Sequence, residues 1–527
     1  MASSKNNPHI SMFLIVIPLV LSAFTHLWNP IGFPGIFVDE GYYMGRAMHV
    51  LEGKGPQEES YFYDHPYFGQ LFLAGVFTLI DYPSSLNPTP NSNAVHSIEM
   101  LYTVPRVLMG LLAVIDTFLV YNIAQRLYNR KVAFIASILF AVMPITWSLR
   151  WILLDTISLP LLLSSILFAV YYYNTKNQSL KGDNEKNTIQ IILLSGTFLG
   201  LAIFTKIPAF TMIPLVGYLI YRKNNNNNND NQNSKTLLAI WFIPVILIPL
   251  IWPIYSAAVS HFNKWSEGIL RQINREKNHP LFDSIRYSIE IDPVLSILGI
   301  AGLVFGVVIK RNFLLLFWVI PLLVFLYLIG YVSIYHLIPL LPVFCIAAAK
   351  MINDVLCIIS KKIGSIQKML QFAIISAIAI FGFISTAMWI SMNVNSAYFE
   401  TVAFVARYVY DNNNNIVHTT NNNNNNNNIE ITMIADPSYS WIPKHIFHLD
   451  GDYKTYYDII PANAKKVLLI VDRFFIDALS SSNESSKQIK KIYESKSTNM
   501  IVTFGNVDEY NQISIYQHES KPGIKTN

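Results

Sequence analysis

Long apolar runs separated by short polar stretches dominate the chain. Several approach or reach the ~20 residues needed to cross ~30 Å of hydrocarbon. Eleven such segments predict transmembrane helices: Met12–Leu27, Val104–Tyr121, Val132–Trp147, Trp151–Tyr173, Ile189–Phe204, Ile207–Tyr221, Leu237–Tyr255, Pro293–Ile309, Phe313–Gly330, Leu337–Ala349 and Phe372–Met392. A further run, Tyr67–Ile80, is at about 14 residues short for a span and reads as a juxtamembrane or re-entrant helix. No fixed-period repeat is visible. The expected class is therefore an all-α polytopic membrane protein.

Lysine and arginine set the orientation. Arg126, Arg130 and Lys131, then Lys176, Lys181 and Lys186, then Arg222, Lys223 and Lys235 occupy alternate loops. Lys310 with Arg311, and Lys361, Lys362 and Lys368, continue the alternation. These loops are read as cytoplasmic, which puts the amino terminus inside and the carboxyl terminus outside. Had Tyr67–Ile80 crossed, every later basic loop would face outward. The first segment reads as an uncleaved anchor, since its basic flank is Lys5 alone and no small-x-small cleavage site follows.

Three outer pieces result: a first loop over residues 28–103, a loop from Ser256 to Asp292, and a tail over 393–527. In the tail, Glu430–Ala435, Lys466–Asp472 and Met500–Phe504 predict strands, and Phe399–Tyr410 and Ser486–Glu494 predict helices. That alternation suggests a small α/β domain beyond a membrane body spanning residues 1–392. Asn224–Asn229 and Asn421–Asn428 read as low-complexity loops without function.

Composition agrees with the class. Of 527 residues, 52% are hydrophobic and 13% charged, with a mean hydropathy of +0.35, about half the charge of a soluble domain. The net charge of +5 lies in loops between apolar segments, so it reports membrane orientation and no nucleic-acid surface. Cys345 and Cys357 have no zinc or disulfide spacing.

Against this background a few ionisable residues stand out, because charge at a membrane boundary is costly unless paired, wet or functional. On the expected topology Asp39, Glu40, Asp64, His65, Arg106, Arg150, Asp155 and Lys206 all fall on the outer side. Cations and carboxylates at one boundary suit a lipid whose phosphate lies at head-group depth: cations hold the phosphate, and a carboxylate takes a proton. Each residue also has a plainer role. Asp39 could cap a helix, Asp155 could pair with Arg150, and Arg106 and Lys206 could snorkel. His336 could cap a helix or contact lipid phosphate. Asp116, mid-span, reads as a protonated or interhelically bonded structural group. Trp265, Arg271 and Arg275 could form the solvated face of a loop helix.

In order along the chain, these residues resemble the GT-C glycosyltransferases that use polyprenyl-phosphate-linked sugars, especially the protein O-mannosyltransferase and aminoarabinose-transferase branch. The resemblance rests on Asp39-Glu40 in a long first outer loop, Asp64-His65-Pro66 with Gln70, and Pro105-Arg106. It continues through Arg150 with Asp155, Thr205-Lys206, and Tyr335-His336-Leu337-Ile338-Pro339, covering roughly residues 10 to 350. It departs from the aminoarabinose branch at Asp64-His65-Pro66-Tyr67, where Glu-Lys-Pro-Pro is typical.

The resemblance implies an enzyme moving a monosaccharide from a polyprenyl- or dolichyl-phosphate donor to a hydroxyl of a protein, glycan or lipid. It implies Asp39 as general base, with Glu40 and Asp155 beside it in the catalytic set, and inversion at the anomeric carbon. Asp64, His65, Arg106, Arg150, Lys206 and His336 are then expected to bind substrate. No cofactor is expected; Asp64 with His65 or His279 would suit a divalent metal such as zinc, though no ligand spacing fixes one. A lipid or sugar transporter is the alternative, but the chain lacks the symmetry between halves expected of one. A receptor or scaffold built on the tail would leave the charged constellation unexplained.

Overall fold

The computed structural model describes the chain apart from residues 1–7, 57–62, 91–93, 176–184, 222–228, 276, 278, 364–366, 420–430, 450, 457, 461–463, 465, 480–483, 506–511 and 520–527. Helices come first. They are α1 (Pro8–Leu27), α2 (Val38–Leu51), α3 (Phe68–Leu79), α4 (Ala94–Leu127), α5 (Arg130–Val142), α6 (Leu154–Thr175), α7 (Glu185–Thr205), α8 (Ile213–Tyr221), α9 (Asn229–Ala258) and α10 (Phe262–Ile273). Then follow α11 (Leu281–Ile291), α12 (Pro293–Val308), α13 (Leu316–Ile329), α14 (Leu341–Ile363), α15 (Gln367–Ile390) and α16 (Ser396–Thr419). The last part alternates: β1 (Ile431–Ile434), α17 (Pro437–Trp441), β2 (Asp452–Lys454), β3 (Lys466–Val471), α18 (Arg473–Leu479), α19 (Glu484–Tyr493), β4 (Thr498–Phe504) and β5 (Ile513–Glu519).

Each of the eleven expected segments overlaps helix, although residues 151–153 and 313–315 lie outside it. Six helices among the described residues are long and apolar enough to cross a membrane alone, and two bent pairs raise the number to eight. The breaks have local causes. Pro144 and Pro293 open new helical segments after Val142 and Ile291, with bends of 67° and 116°, because a proline disfavours helical backbone in the residue before it. At the second break Asp292 accepts the Leu295 N–H at 2.9 Å, capping α12. Apolar side chains such as Leu247, Ile254, Tyr327 and Leu328 lie on the outside of the bundle, as a lipid-facing surface requires.

The chain forms two compact units interleaved along the sequence. One comprises Met1–Trp28, Glu59–Gly69 and Val107–Ser391; the other comprises Asn29–Glu58, Gln70–Arg106 and Met392–Asn527. The helical body is the first. The second carries a five-stranded sheet of order β2-β1-β3-β5-β4, parallel across β2-β1-β3 and antiparallel across β3-β5-β4. Its core packs Ile434, Leu469, Tyr456, Phe475 and Ile489.

The expected strands and helices of the tail are present with shifted ends, and Glu430 lies outside the described residues. β2 and β5 were not expected. β2 is three residues long, two of them charged, and is held by backbone pairing to β1; β5 mixes Gln517, His518 and Glu519 into its length. Of the asparagine runs, residues 224–228 and 421–428 lie outside the described residues, while Asn229 opens α9.

Candidate functional site

In the sheet-bearing unit, the first turn of α2 carries Asp39 and Glu40. Adjacent residues on a helix point about 100° apart, so the two carboxylates meet different surroundings. Glu40 is fully buried and accepts from the backbone N–H of Phe37 at 2.8 Å, the reciprocal half of a capping box. Arg106, equally buried, donates Nε to Glu40 Oε1 at 3.0 Å and Nη2 to Oε2 at 2.8 Å. Its Nη1 reaches the carbonyls of Pro30 and Pro34 at 3.1 and 2.8 Å. Asn395 adds a second clamp on the approach loop, accepting the Ile36 N–H at 2.9 Å and donating to Ile31 O and Pro34 O at 2.7 and 2.9 Å. Asp39 remains partly exposed at the positive end of the helix.

α2 lies directly on the β1–α17 turn. A Cβ on Gly41 would stand 2.3 Å from Ser438 N, so the backbones touch there. Asp436 caps α17 by accepting the Ser438 N–H at 2.8 Å. Tyr102 and Tyr398 both donate to Ser438 O, and Trp441 Nε1 donates to Tyr102 Oη at 2.8 Å. Burial pushes the Asp436 carboxyl up to about 7. The Ser438 N–H opposes that shift, and the charges of Asp472 and then Asp39 add to it. Asp436 was not singled out in the sequence, although an Asp-Pro pair after an apolar strand is a helix-start signal.

In the helical unit, Asp155 sits in the first turn of α6 and Lys206 follows the end of α7 in extended backbone. Lys206 Nζ bonds Asp155 Oδ2 inside the protein, with both side chains nearly fully buried. Lys206 Nζ also lies 4.9 Å from the Tyr335 ring centroid, a cation–π distance. Beside the pair is a small cavity lined by Asp155, Ser158, Lys206, Thr211 and Pro339 among others. His336 accepts the Ser333 N–H on Nδ1 at 2.9 Å, so the ring is neutral with its proton on Nε2. Lys206, His65 and Arg275 are within electrostatic reach of His336. Arg275 lies over the Tyr331 ring, 3.5 Å from its centroid.

The segment before α3 joins this region by packing. A Cβ on Gly69 would meet Leu154 at 2.3 Å, so α3 and α6 start in contact. Tyr67 sits edge-on to Phe204 and Tyr255. Burial, with Tyr255 beside it, pushes Tyr63 up to about 12. The phenol therefore keeps its proton, and its Oη shares a hydrogen bond of 2.5 Å with His261 Nδ1. Asp64 and His65, between these aromatics, are half-buried.

The expected residues thus separate by surroundings. His65, Lys206 and His336 share one electrostatic neighbourhood, and Arg275, for which sequence pattern allowed a solvated loop face, belongs to it. Asp155 pairs with Lys206. Arg150 is turned elsewhere: buried, it donates Nη2 to the Trp28 carbonyl at the end of α1. Arg106 is engaged by Glu40. Asp116 is fully buried in α4, and neither of its oxygens has a hydrogen-bond partner among the described residues. No group of three or more His, Cys, Asp or Glu side chains among the described residues has metal-holding geometry, so Asp64 with His65 or His279 does not form such a set.

Residues 56–264 match the family described as Dolichyl-phosphate-mannose-protein mannosyltransferase. The fold of the whole chain is similar to solved GT-C structures. The Archaeoglobus fulgidus oligosaccharyltransferase in its apo form superposes with a TM-score of 0.58 at 12% identity, over 90% of this chain and 72% of that one. That family match covers less than half of the chain, and the superposition shows a shared fold. ArnT from Cupriavidus metallidurans, solved with undecaprenyl phosphate, superposes with a TM-score of 0.57 at 10% identity, over 97% of this chain and 98% of its own. The archaeal enzyme AglB, solved with an inhibitory peptide and a dolichol-phosphate, gives 0.57 at 12% identity over 99% and 76%. No curated protein sequence matches the chain. The partial family match and the shared fold favour the glycosyltransferase reading over the transporter alternative.

Proposed function

We propose that this enzyme transfers a monosaccharide from a polyprenyl- or dolichyl-phosphate donor to an acceptor hydroxyl, with inversion. The acceptor is a protein, glycan or lipid hydroxyl on the extracytoplasmic side. Asp39 is the base, taking the acceptor proton as its oxygen attacks the anomeric carbon from the face opposite the phosphate. A lipid phosphate leaves without needing a general acid. The charge that grows on it calls for preorganised cations and N–H donors: Lys206, His65 and, added to them, Arg275 are the candidate cations, and His336 is a candidate neutral donor through Nε2. Asp155 holds Lys206, Asp64 positions His65, and Glu40 with Arg106 fixes the backbone that carries Asp39. Arg150 anchors the end of α1.

One observation carries this reading: of the two adjacent acids in the first turn of α2, Glu40 is consumed by Arg106 while Asp39 remains partly exposed. A base must reach its substrate, and only Asp39 can. Purified wild type and Asp39→Asn, each incubated with radiolabelled polyprenyl-phosphate sugars and membrane extract, test it. Transfer by wild type alone supports the assignment and names the sugar. Equal transfer by both moves the base elsewhere, and no transfer by either removes the donor class.

The proposal extends to organisation. Eleven segments cross the membrane with the amino terminus cytoplasmic. Residues 1–392 form the catalytic membrane domain, including the first outer loop over 28–103, and residues 393–527 form an extracytoplasmic α/β domain. That domain and the Ser256–Asp292 loop would position the acceptor.

A further inference from the structure

Helices α12 and α14 touch and then part. A Cβ on Gly299 would meet Phe344 at 2.7 Å, and one on Gly302 would meet the Ala347 backbone at 2.4 Å. One turn further along α12, a Cβ on Gly306 would find its nearest neighbour, Asn312 O, at 4.0 Å. The opening there is a small cleft, open to its surroundings. Its inner wall is apolar, with Leu303, Val307 and Leu316, and Lys310, Lys350 and Tyr128 line it as well.

The charges in this cleft are arranged. Asp354 receives Lys350 Nζ at 2.6 Å, and Lys310 Nζ lies 3.2 Å from the same carboxylate. Lys350 Nζ also stands 5.4 Å from the Tyr128 ring centroid. Lysines that merely snorkelled would extend separately into water; these two converge on one point. Two ammonium groups on one carboxylate leave a net positive charge beside an apolar wall. On the same helix Val304 and Val308 are 55% and 68% exposed, an apolar surface along which acyl chains can lie.

We propose that this cleft binds the phosphate head group of an anionic membrane phospholipid. Lys310, 42% exposed at its side chain, makes the first contact, and Lys350 the deeper one. Asp354 keeps both ammonium groups in place and admits a monoanionic phosphate by leaving one positive charge unneutralised. Basic pockets between membrane helices are suited to such head groups. The site shares no residue with the donor machinery and does not depend on which reaction the enzyme performs.

The full chain in detergent, titrated with phosphatidylglycerol or phosphatidylcholine and read by native mass spectrometry, tests this. The expected result is preferential retention of phosphatidylglycerol, reduced roughly tenfold or more in Lys310→Gln, as for the loss of one charge-assisted contact. Gly306→Leu should abolish the preference by filling the cleft, with an unchanged melting temperature. Equal retention of both lipids by wild type overturns the proposal, as does a preference that survives in Lys310→Gln. Full displacement by millimolar inorganic phosphate would assign the cleft to free phosphate and overturn the lipid assignment. Should Gly306→Leu fail to fold, Lys310→Gln, a change at a part-exposed side chain, still decides.

Discussion

Arg106 grips both oxygens of Glu40, at 3.0 and 2.8 Å, and neither side chain has any exposed surface. The pair is an internal brace, since the same guanidinium holds the carbonyls of Pro30 and Pro34 in the loop that leads into α2. A buried pair of this kind is hard to break from one side. Removing one partner strands the other charge without solvent, at a cost of about 3–5 kcal/mol.

Glu40→Gln is therefore expected to lower the melting temperature strongly, and Arg106→Met likewise. Asp39→Asn, at a partly exposed position, should change stability by no more than about 0.5 kcal/mol while abolishing transfer. Thermal unfolding of the three variants in one detergent separates brace from base. Wild-type stability in Glu40→Gln would show that the pair carries no such load.

Lys206 answers to a different measurement. If its ammonium receives the donor phosphate, Lys206→Met should weaken donor binding by roughly tenfold or more, the worth of a hydrogen bond to a charged group. Asp155→Asn should weaken it less, because the ammonium stays and only its anchor is softened. Binding of a polyprenyl phosphate by titration calorimetry gives both numbers. Undiminished affinity in Lys206→Met would return the Lys206–Asp155 pair to a purely structural role.

Asp436 gives the protein a pH dependence with a definite sign. Its carboxyl is raised from 3.8 to about 7 by burial, with Asp472 and Asp39 adding to the shift. Between those values the folded chain holds a proton that the unfolded chain has lost. Stability contributed by this group is present below about pH 4 and lost as pH rises towards 7, with a limiting slope of about 1.4 kcal/mol per pH unit. Tyr439 and Tyr456 donate to Asp472, and Tyr398 also faces Asp436, but burial raises all three phenols, so none ionises in that window. Asp436→Asn can still cap Ser438, and its melting temperature should rise relative to wild type at pH 7.5 more than at pH 4.5. A parallel pH dependence in both proteins would refute the assignment.

The sequence already told much of this, and its silences have physical causes. Apolar runs of membrane length report helices because the bilayer leaves the backbone few alternatives. Asp39, Asp155 and Lys206 were legible because charge at a boundary is costly and so conspicuous. What each charge faces was not legible. Nothing in the spacing of Arg106 and Glu40, 66 residues apart, announces a buried pair, and Asp155 could as well have met Arg150 as Lys206. Nor does an alternating tail reveal that Asn395 clamps residues 31–36. Local pattern sees a residue's own element and its neighbours in sequence; partners chosen by tertiary packing lie beyond it.

That packing can be probed at one atom. A methyl on Gly41 would stand 2.3 Å from Ser438 N, 2.4 Å from Ser438 Cα and 2.6 Å from Pro437 C. All three are backbone atoms, so no side chain can swing away. Gly45, one turn along α2, offers ordinary room: its nearest neighbours, His445 and Trp441, would lie 3.7 Å from an added Cβ. Gly45→Ala should therefore be neutral or gain up to about 1 kcal/mol from better helix propensity. Gly41→Ala should lose about 1–3 kcal/mol through overpacking and shift the turn that carries Asp39, cutting transfer as well. The two variants differ by one helical turn and the same methyl group. If both melt and transfer sugar like wild type, the contact between α2 and the β1–α17 turn does not hold Asp39 in place.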